Sequence, residues 1–141
     1  MEIAIIASDR RKEMMTDFCL AYKTILEKHN LYATESTGQY ISEATDLRIE
    51  CMLPGGRGGI EQLTSRISYD EIDLVLYFRN SYNANGYNES ESNLIRVCDL
   101  HNVPLATNQA TAEALIMALE QGVLDWRNLV NPRSAINQKK H

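Results

Sequence analysis

Cys51-Met52-Leu53-Pro54-Gly55-Gly56-Arg57-Gly58-Gly59-Ile60 joins an apolar run to the start of a helical pattern, through a turn holding four of the chain's seven glycines. Glycine accepts positive φ and close approach that bulkier residues block. A glycine-rich turn between a strand and a helix N-terminus can aim backbone N–H groups at an anion. It can equally be a tight connector, and the turn alone does not separate the two. What it does mark is a strand–turn–helix unit, and that unit recurs on both sides of it.

Upstream, residues 47–53 read as the strand entering the turn. Residues 3–7 form a continuous apolar run, as expected of a strand buried on both faces, and Ser8-Asp9 supplies capping side chains. Met14, Met15, Phe18, Cys19, Tyr22, Ile25 and Leu26 then recur at helical spacing, which predicts a long amphipathic helix over 10–28. Residues 31–34 read as a strand, Ser36-Thr37-Gly38 as a polar turn and 38–45 as a short helix. Downstream, Ile60, Leu63 and Ile67 stripe a helix over 60–68. Ile72-Asp73-Leu74-Val75-Leu76-Tyr77-Phe78 is the most pronounced strand. An asparagine-rich loop over 79–88 follows, then a helix carrying Leu94, Ile95, Val97, Cys98 and His101. Residues 103–107 are a short strand whose Pro104 favours a sheet edge, and 109–120 read as a helix. In the tail, Val123, Leu124, Trp126, Leu129 and Val130 suggest a docking segment.

Five alternations of strand and helix predict a three-layer α/β sandwich, with a five-stranded parallel sheet covered by helices on both faces. A chain of 141 residues without a linker reads as one domain over 1–141. A net charge of −5 argues against general nucleic-acid binding. No apolar run reaches the roughly 20 residues that a membrane helix needs, and the apolar N-terminus is too short and lacks the basic leader of a signal peptide. Cys19, Cys51 and Cys98 are widely spaced in apolar contexts, so we expect buried free thiols in a reducing cytoplasm, with neither a metal site nor a cofactor.

In an open parallel sheet, ligands bind outside the carboxyl ends of the strands. Those ends carry Ser8-Asp9, then Thr34, Ser36, Thr37 and Gly38, then Gly55, Gly56, Arg57, Gly58 and Gly59, then Arg79-Asn80, and last Thr107-Asn108. With Lys12 in the first helical turn, these hydroxyls, backbone donors and one ammonium suit a phosphorylated small molecule. Taken singly, the hydroxyls have a plainer reading as helix caps and Lys12, Arg57 and Arg79 as solvated charges. His29 and His101 fall near helix ends, where the helix dipole accounts for them.

Leu31-Tyr32-Ala33-Thr34-Glu35-Ser36-Thr37-Gly38 resembles the L-Y-A-T-G-T-T-G segment of the methylglyoxal synthase family, and Leu53 to Gly59 resembles its S-G-P-x-G-G-D loop. Residues 72–78 and 102–112 are similar to two further family blocks, so the resemblance runs from about residue 2 to 120. It implies the sheet order 3-2-1-4-5. It also implies a homo-oligomer, with a hexamer as the family precedent, in which the tail over 121–141 docks on a neighbour and a tail arginine, Arg127 or Arg133, enters the neighbour's pocket. The family's enzyme converts dihydroxyacetone phosphate to methylglyoxal and phosphate. Its phosphate-binding positions are matched by Lys12, Thr34, Ser36, Thr37, Gly55, Gly58 and Gly59.

The catalytic positions differ. The resemblance puts the family's general base at Ile60, its histidines at Ser8 and Tyr87, and an aspartate at Asn80; Asp9 matches. Isoleucine cannot accept a proton, and general acid–base catalysis typically contributes 10² to 10⁴-fold in rate. Glu61 is one residue on, which is about 100° around a helix, so bringing its carboxylate to the base position would take a shift of the loop. The expectation is therefore non-catalytic binding, for sensing or sequestration, of a phosphorylated small molecule such as a nucleotide or nucleotide-derived signal. Ser8, Asp9, Ile60, Arg79, Asn80, Asn83, Tyr87, Thr107 and Asn108 would line the pocket. The alternative is an active lyase eliminating phosphate from dihydroxyacetone phosphate, with Asp9 and Glu61 as its carboxylates.

Overall fold

A computed structural model describes residues 1–80 and 88–139. Five parallel strands, β1 (Glu2–Ala7), β2 (Asn30–Ala33), β3 (Ile49–Cys51), β4 (Leu74–Phe78) and β5 (Leu105–Ala106), form one sheet in the order β3-β2-β1-β4-β5. The fold class and strand order are those expected. β1 is central, with Ile3 beside both Leu31 and Leu74, and all of its side chains are buried.

The two-residue alternation of a strand divides the core in two. Ile3, Ile5, Leu31, Leu74, Leu76 and Phe78 face helices α1 (Lys12–Ala21), α3 (Glu35–Thr45) and α6 (Gln109–Glu120). On the opposite face, Ala4, Ile6, Tyr32, Val75 and Tyr77 meet Ile60, Leu63 and Ile67 of α4 (Gly59–Ser68) and Leu94, Val97 and Cys98 of α5 (Glu89–Leu100).

Several local expectations need correction. The helix expected over 10–28 breaks at Tyr22 into a 3₁₀ turn (Asp9–Arg11), α1 and the short α2 (Lys23–Leu26). Ser36-Thr37-Gly38 is not a turn but the first part of α3, which starts at Glu35 behind the extended Thr34, with Gly38 N donating to Thr34 O at 2.8 Å. A β-carbon on Gly38 would lie 2.4 Å from Cys51 Sγ, which would have to swing aside. Cys51 is exposed rather than buried, because β3 is the sheet's edge; Cys19 and Cys98 are buried, and all three thiols are free.

The tail docks on its own chain through a buried ion pair. Arg127, fully buried in α7 (Arg127–Val130), donates from Nε to Asp73 Oδ1 at 3.2 Å and from Nη2 to Ile72 O at 2.9 Å. Asn131 Nδ2 donates to both Asp73 oxygens at 3.0 Å, and the backbone N of Glu2 donates to Asp73 Oδ2 at 2.8 Å. One carboxylate thus ties the starts of β1 and β4 to the tail, at the sheet end opposite the strand termini. Arg127 is therefore spent inside its own chain and is not an arginine offered to a neighbour. Arg133 lies 3.8 Å from Glu71. Arg127→Met would strand the Asp73 charge in the interior; we expect a loss of about 3–5 kcal/mol in urea unfolding. A loss below about 1 kcal/mol would show that the pair behaves as a surface one.

Candidate functional site

A cavity opens at the carboxyl ends of β1, β2, β3 and β4, walled by the segments that leave them. The first wall is Ile6, Ala7, Ser8, Asp9, Arg10 and Lys12. The Lys12 ammonium reaches back to Ala7 O at 3.4 Å and to Asp9 Oδ1 at 2.6 Å, and its side chain is only 12% exposed while that of Asp9 is 99% exposed. The hydrogen bond from Lys12, and then its charge, hold the Asp9 carboxyl below the usual range. Ser8 does not cap the following turn. Its Oγ is buried on the cavity side and has no partner among the described residues, so it can serve a bound ligand atom.

The second wall is Thr34 and Ser36, at the N-terminus of α3. Thr37 sits behind it: its Oγ1 accepts from Ala7 N and donates to Ala7 O, both at 3.3 Å, locking α3 to the end of β1. Thr37 and Gly38, both expected to touch a ligand, are buried in the fabric of this wall and do not line the cavity.

The glycine turn is the third wall. Pro54, Gly55, Gly56, Arg57 and Gly58 line the cavity, with a 3₁₀ turn over Gly55–Arg57 and Gly58 at φ 103°. Gly59 lies underneath: a β-carbon there would be 2.0 Å from Leu53 O, while its N–H donates to Pro54 O at 3.0 Å. Gln62 Oε1 accepts from Leu53 N at 2.8 Å and pins the turn to α4. Both Ile60 and Glu61 line the cavity.

The fourth wall, Tyr77, Arg79, Asn80, Asn88, Ser90 and Glu91, comes from the end of β4 and the start of α5. Arg79 Nε donates to Glu91 Oε1 at 2.5 Å, and Ser90 Oγ donates to Glu61 Oε1. Asn83 and Tyr87 lie outside the described residues. Thr107 and Asn108 are not in the lining; Asn108 caps α6 by accepting from Thr111 N at 3.0 Å. Neither His29, whose Nδ1 is 2.8 Å from the N-terminal amine, nor His101, 3.2 Å from Asp70, lines the cavity. Among the described residues there is no group of three or more His, Cys, Asp or Glu able to hold a metal ion, and no helix long and apolar enough to cross a membrane.

Sequence reasoning missed Ile6, Ala7, Arg10, Pro54, Tyr77, Asn88, Ser90 and Glu91. Tyr77 had a usable signal as the penultimate residue of the most buried later strand. Ser90 and Glu91 had none, because their placement depends on how the chain re-enters α5 after the asparagine-rich segment.

Residues 15–107 match the family model described as "MGS-like domain". The chain is 50% identical over 138 residues to the methylglyoxal synthase of Caldicellulosiruptor saccharolyticus, covering 98% of each, and 49% identical over 129 residues to that of Thermoanaerobacter pseudethanolicus, covering 92% of this chain and 98% of the relative. A crystal structure of methylglyoxal synthase from Elizabethkingia anophelis superposes with a TM-score of 0.75 at 31% identity, covering 82% of this chain and 76% of that one. These relatives overturn the expectation of non-catalytic sensing or sequestration: proteins sharing half their residues with this chain across almost its whole length bear the name of an enzyme.

Gly59→Ala must displace the Leu53 carbonyl and should cost about 1–3 kcal/mol in thermal or urea unfolding. Gly56 has open space where its β-carbon would go, so Gly56→Ala should stay within about 0.5 kcal/mol of the parent. Equal effects of the two substitutions would contradict this picture of the turn.

Proposed function

This chain belongs to the methylglyoxal synthase-like family, and from that membership and the cavity we propose that it is a lyase eliminating phosphate from dihydroxyacetone phosphate to give methylglyoxal. The observation that carries this reading is the gathering of Lys12, Thr34, Ser36 and the glycine turn opposite a carboxylate free of any cation among the described residues, Glu61. The ammonium, the Ser36 hydroxyl and the N-terminus of α3 hold the phosphate dianion, while Thr34 Oγ1 donates to Thr37 Oγ1 at 3.3 Å and braces the wall. Ser8, with its unspent hydroxyl, adds a further donor.

Glu61 is the proton acceptor. Three carboxylates line the cavity, and two are committed: Asp9 to Lys12 and Glu91 to Arg79. Glu61 bonds only to the Ser90 hydroxyl among the described residues and is paired with no cation there. It removes a proton from the hydroxyl-bearing carbon beside the carbonyl, and the electron pair of that C–H bond forms an enediolate. The hydroxyl hydrogen of that carbon passes to the old carbonyl oxygen as a new carbonyl forms, and the C–O bond to phosphate breaks. Glu61 returns its proton to the departing phosphate, and the enol left behind tautomerises to methylglyoxal. Ile60 forms an apolar wall that keeps water from the reacting carbons.

Assayed by phosphate release from dihydroxyacetone phosphate, Glu61→Gln is expected to lower kcat by about 10²- to 10⁴-fold. Lys12→Ala is expected to raise KM by about tenfold or more. Full activity in Glu61→Gln would remove Glu61 from the mechanism, and an unchanged KM in Lys12→Ala would remove the phosphate from this wall.

A further inference from the structure

The hydrogen bond from Ser90 to Glu61 stands at the boundary between two cavities. Beside the cavity described above, a second of about 450 Å³ opens between α4 and α5, with Thr64, Asn93 and Arg96 in its lining. Glu61 and Ser90 line both cavities. Each is set by its helix. Glu61 is in the first turn of α4, and Ser90 is the second residue of α5, whose start is fixed by Asn88 Oδ1 accepting from Glu91 N at 3.1 Å. Leu63 and Ile67 of α4 share one buried cluster with Leu94, Val97 and Cys98 of α5, so the two helix starts keep their spacing. Across that gap Ser90 Oγ donates to Glu61 Oε1.

Glu61 is exposed, and a glutamate side chain without a partner samples several rotamers. The second cavity offers it a competing partner, the Arg96 guanidinium, whose Nη2 donates to Asn93 Oδ1 at 2.8 Å. A carboxylate paired there would be turned away from the substrate carbon. We propose that Ser90 is the positioning residue that holds Glu61, the proton acceptor of the scheme above, toward the catalytic cavity and away from Arg96. The Ser90 hydroxyl gives its one proton to Oε1. Oε2 accepts no hydrogen bond among the described residues and is the atom left to take the proton from carbon. Ser90 touches no substrate atom in this role and transfers no proton. Its effect enters the rate through the placement of the base, where a displacement of about 1 Å can cost about 10²-fold. The inference rests on the lyase reading for the task of Glu61, while the position of the carboxylate can be observed without turnover.

The test compares Ser90→Ala and Ser90→Thr with the parent. In turnover of dihydroxyacetone phosphate, Ser90→Ala should lower kcat about 10- to 10²-fold with KM within about twofold. Ser90→Thr keeps the hydroxyl and should recover most of that loss. In a Glu61→Gln background Ser90→Ala should add nothing, as expected for residues acting as one unit. Additive losses, or equal losses in the alanine and threonine variants, would overturn the assignment. Arg96→Ala should leave the parent's kcat unchanged and restore part of the kcat lost in Ser90→Ala; no restoration would remove Arg96 as the competitor. Crystallography separates this inference from the lyase reading. In Ser90→Ala the Glu61 carboxylate should leave the place it holds in the parent and turn into the second cavity. If it stays in that place, Ser90 does not position it, whether or not the parent turns over dihydroxyacetone phosphate. A carboxylate that moves in Ser90→Ala, in a protein whose parent releases no phosphate, would sink the lyase reading alone.

Discussion

Position 59 has no room for a side chain: a β-carbon would stand 2.0 Å from the Leu53 carbonyl oxygen. The geometry of the site follows from that close approach. It lets the chain leave β3, turn within a few residues and enter α4 directly. The turn then presents Gly55, Gly56 and Gly58 to the cavity, and the first turn of α4 delivers Ile60 and Glu61. Gln62 closes the arrangement by accepting from Leu53 N. On the neighbouring strand, Thr37 does the equivalent work, tying the start of α3 to both backbone groups of Ala7. Two helix N-termini are held on one cavity by contacts that lie behind its surface.

Within that frame the partners of three cavity carboxylates sort their chemistry. Asp9 neutralises Lys12 at the mouth and is held ionised by it. Glu91 is bound to Arg79, which makes it an anchor and not a base. Glu61 contacts only a neutral hydroxyl among the described residues. A carboxylate surrounded by donors of different charge acquires a different task from each. In the lyase proposed for this chain, identical side-chain chemistry would serve phosphate binding, orientation and proton transfer within one pocket.

Much of this was legible in the sequence. The continuous apolar run of residues 3–7 and the most pronounced strand over 72–78 marked the sheet's centre, and Lys12, Thr34, Ser36 and the glycine turn named three of the four walls. The parts that were not legible depend on the third dimension. Thr37, Gly38 and Gly59 belong to the motifs but are absorbed in packing, which a motif does not record. Arg127 read as an arginine for a neighbour's pocket, because nothing local in its surroundings signals the buried Asp73 that it answers 54 residues away in sequence. The reading of lost catalysis counted substitutions at aligned positions; Glu61 lines the cavity, and half-identical relatives bear an enzyme's name.

The central claim is that this cavity breaks a carbon–oxygen bond and does not merely hold a phosphorylated ligand. Proton and phosphorus NMR of dihydroxyacetone phosphate with the intact chain tests it most directly. Methylglyoxal and inorganic phosphate should appear together in equal amounts, at a rate proportional to protein concentration. Dihydroxyacetone phosphate whose signals broaden on binding, but which is consumed no faster than in buffer, would contradict it.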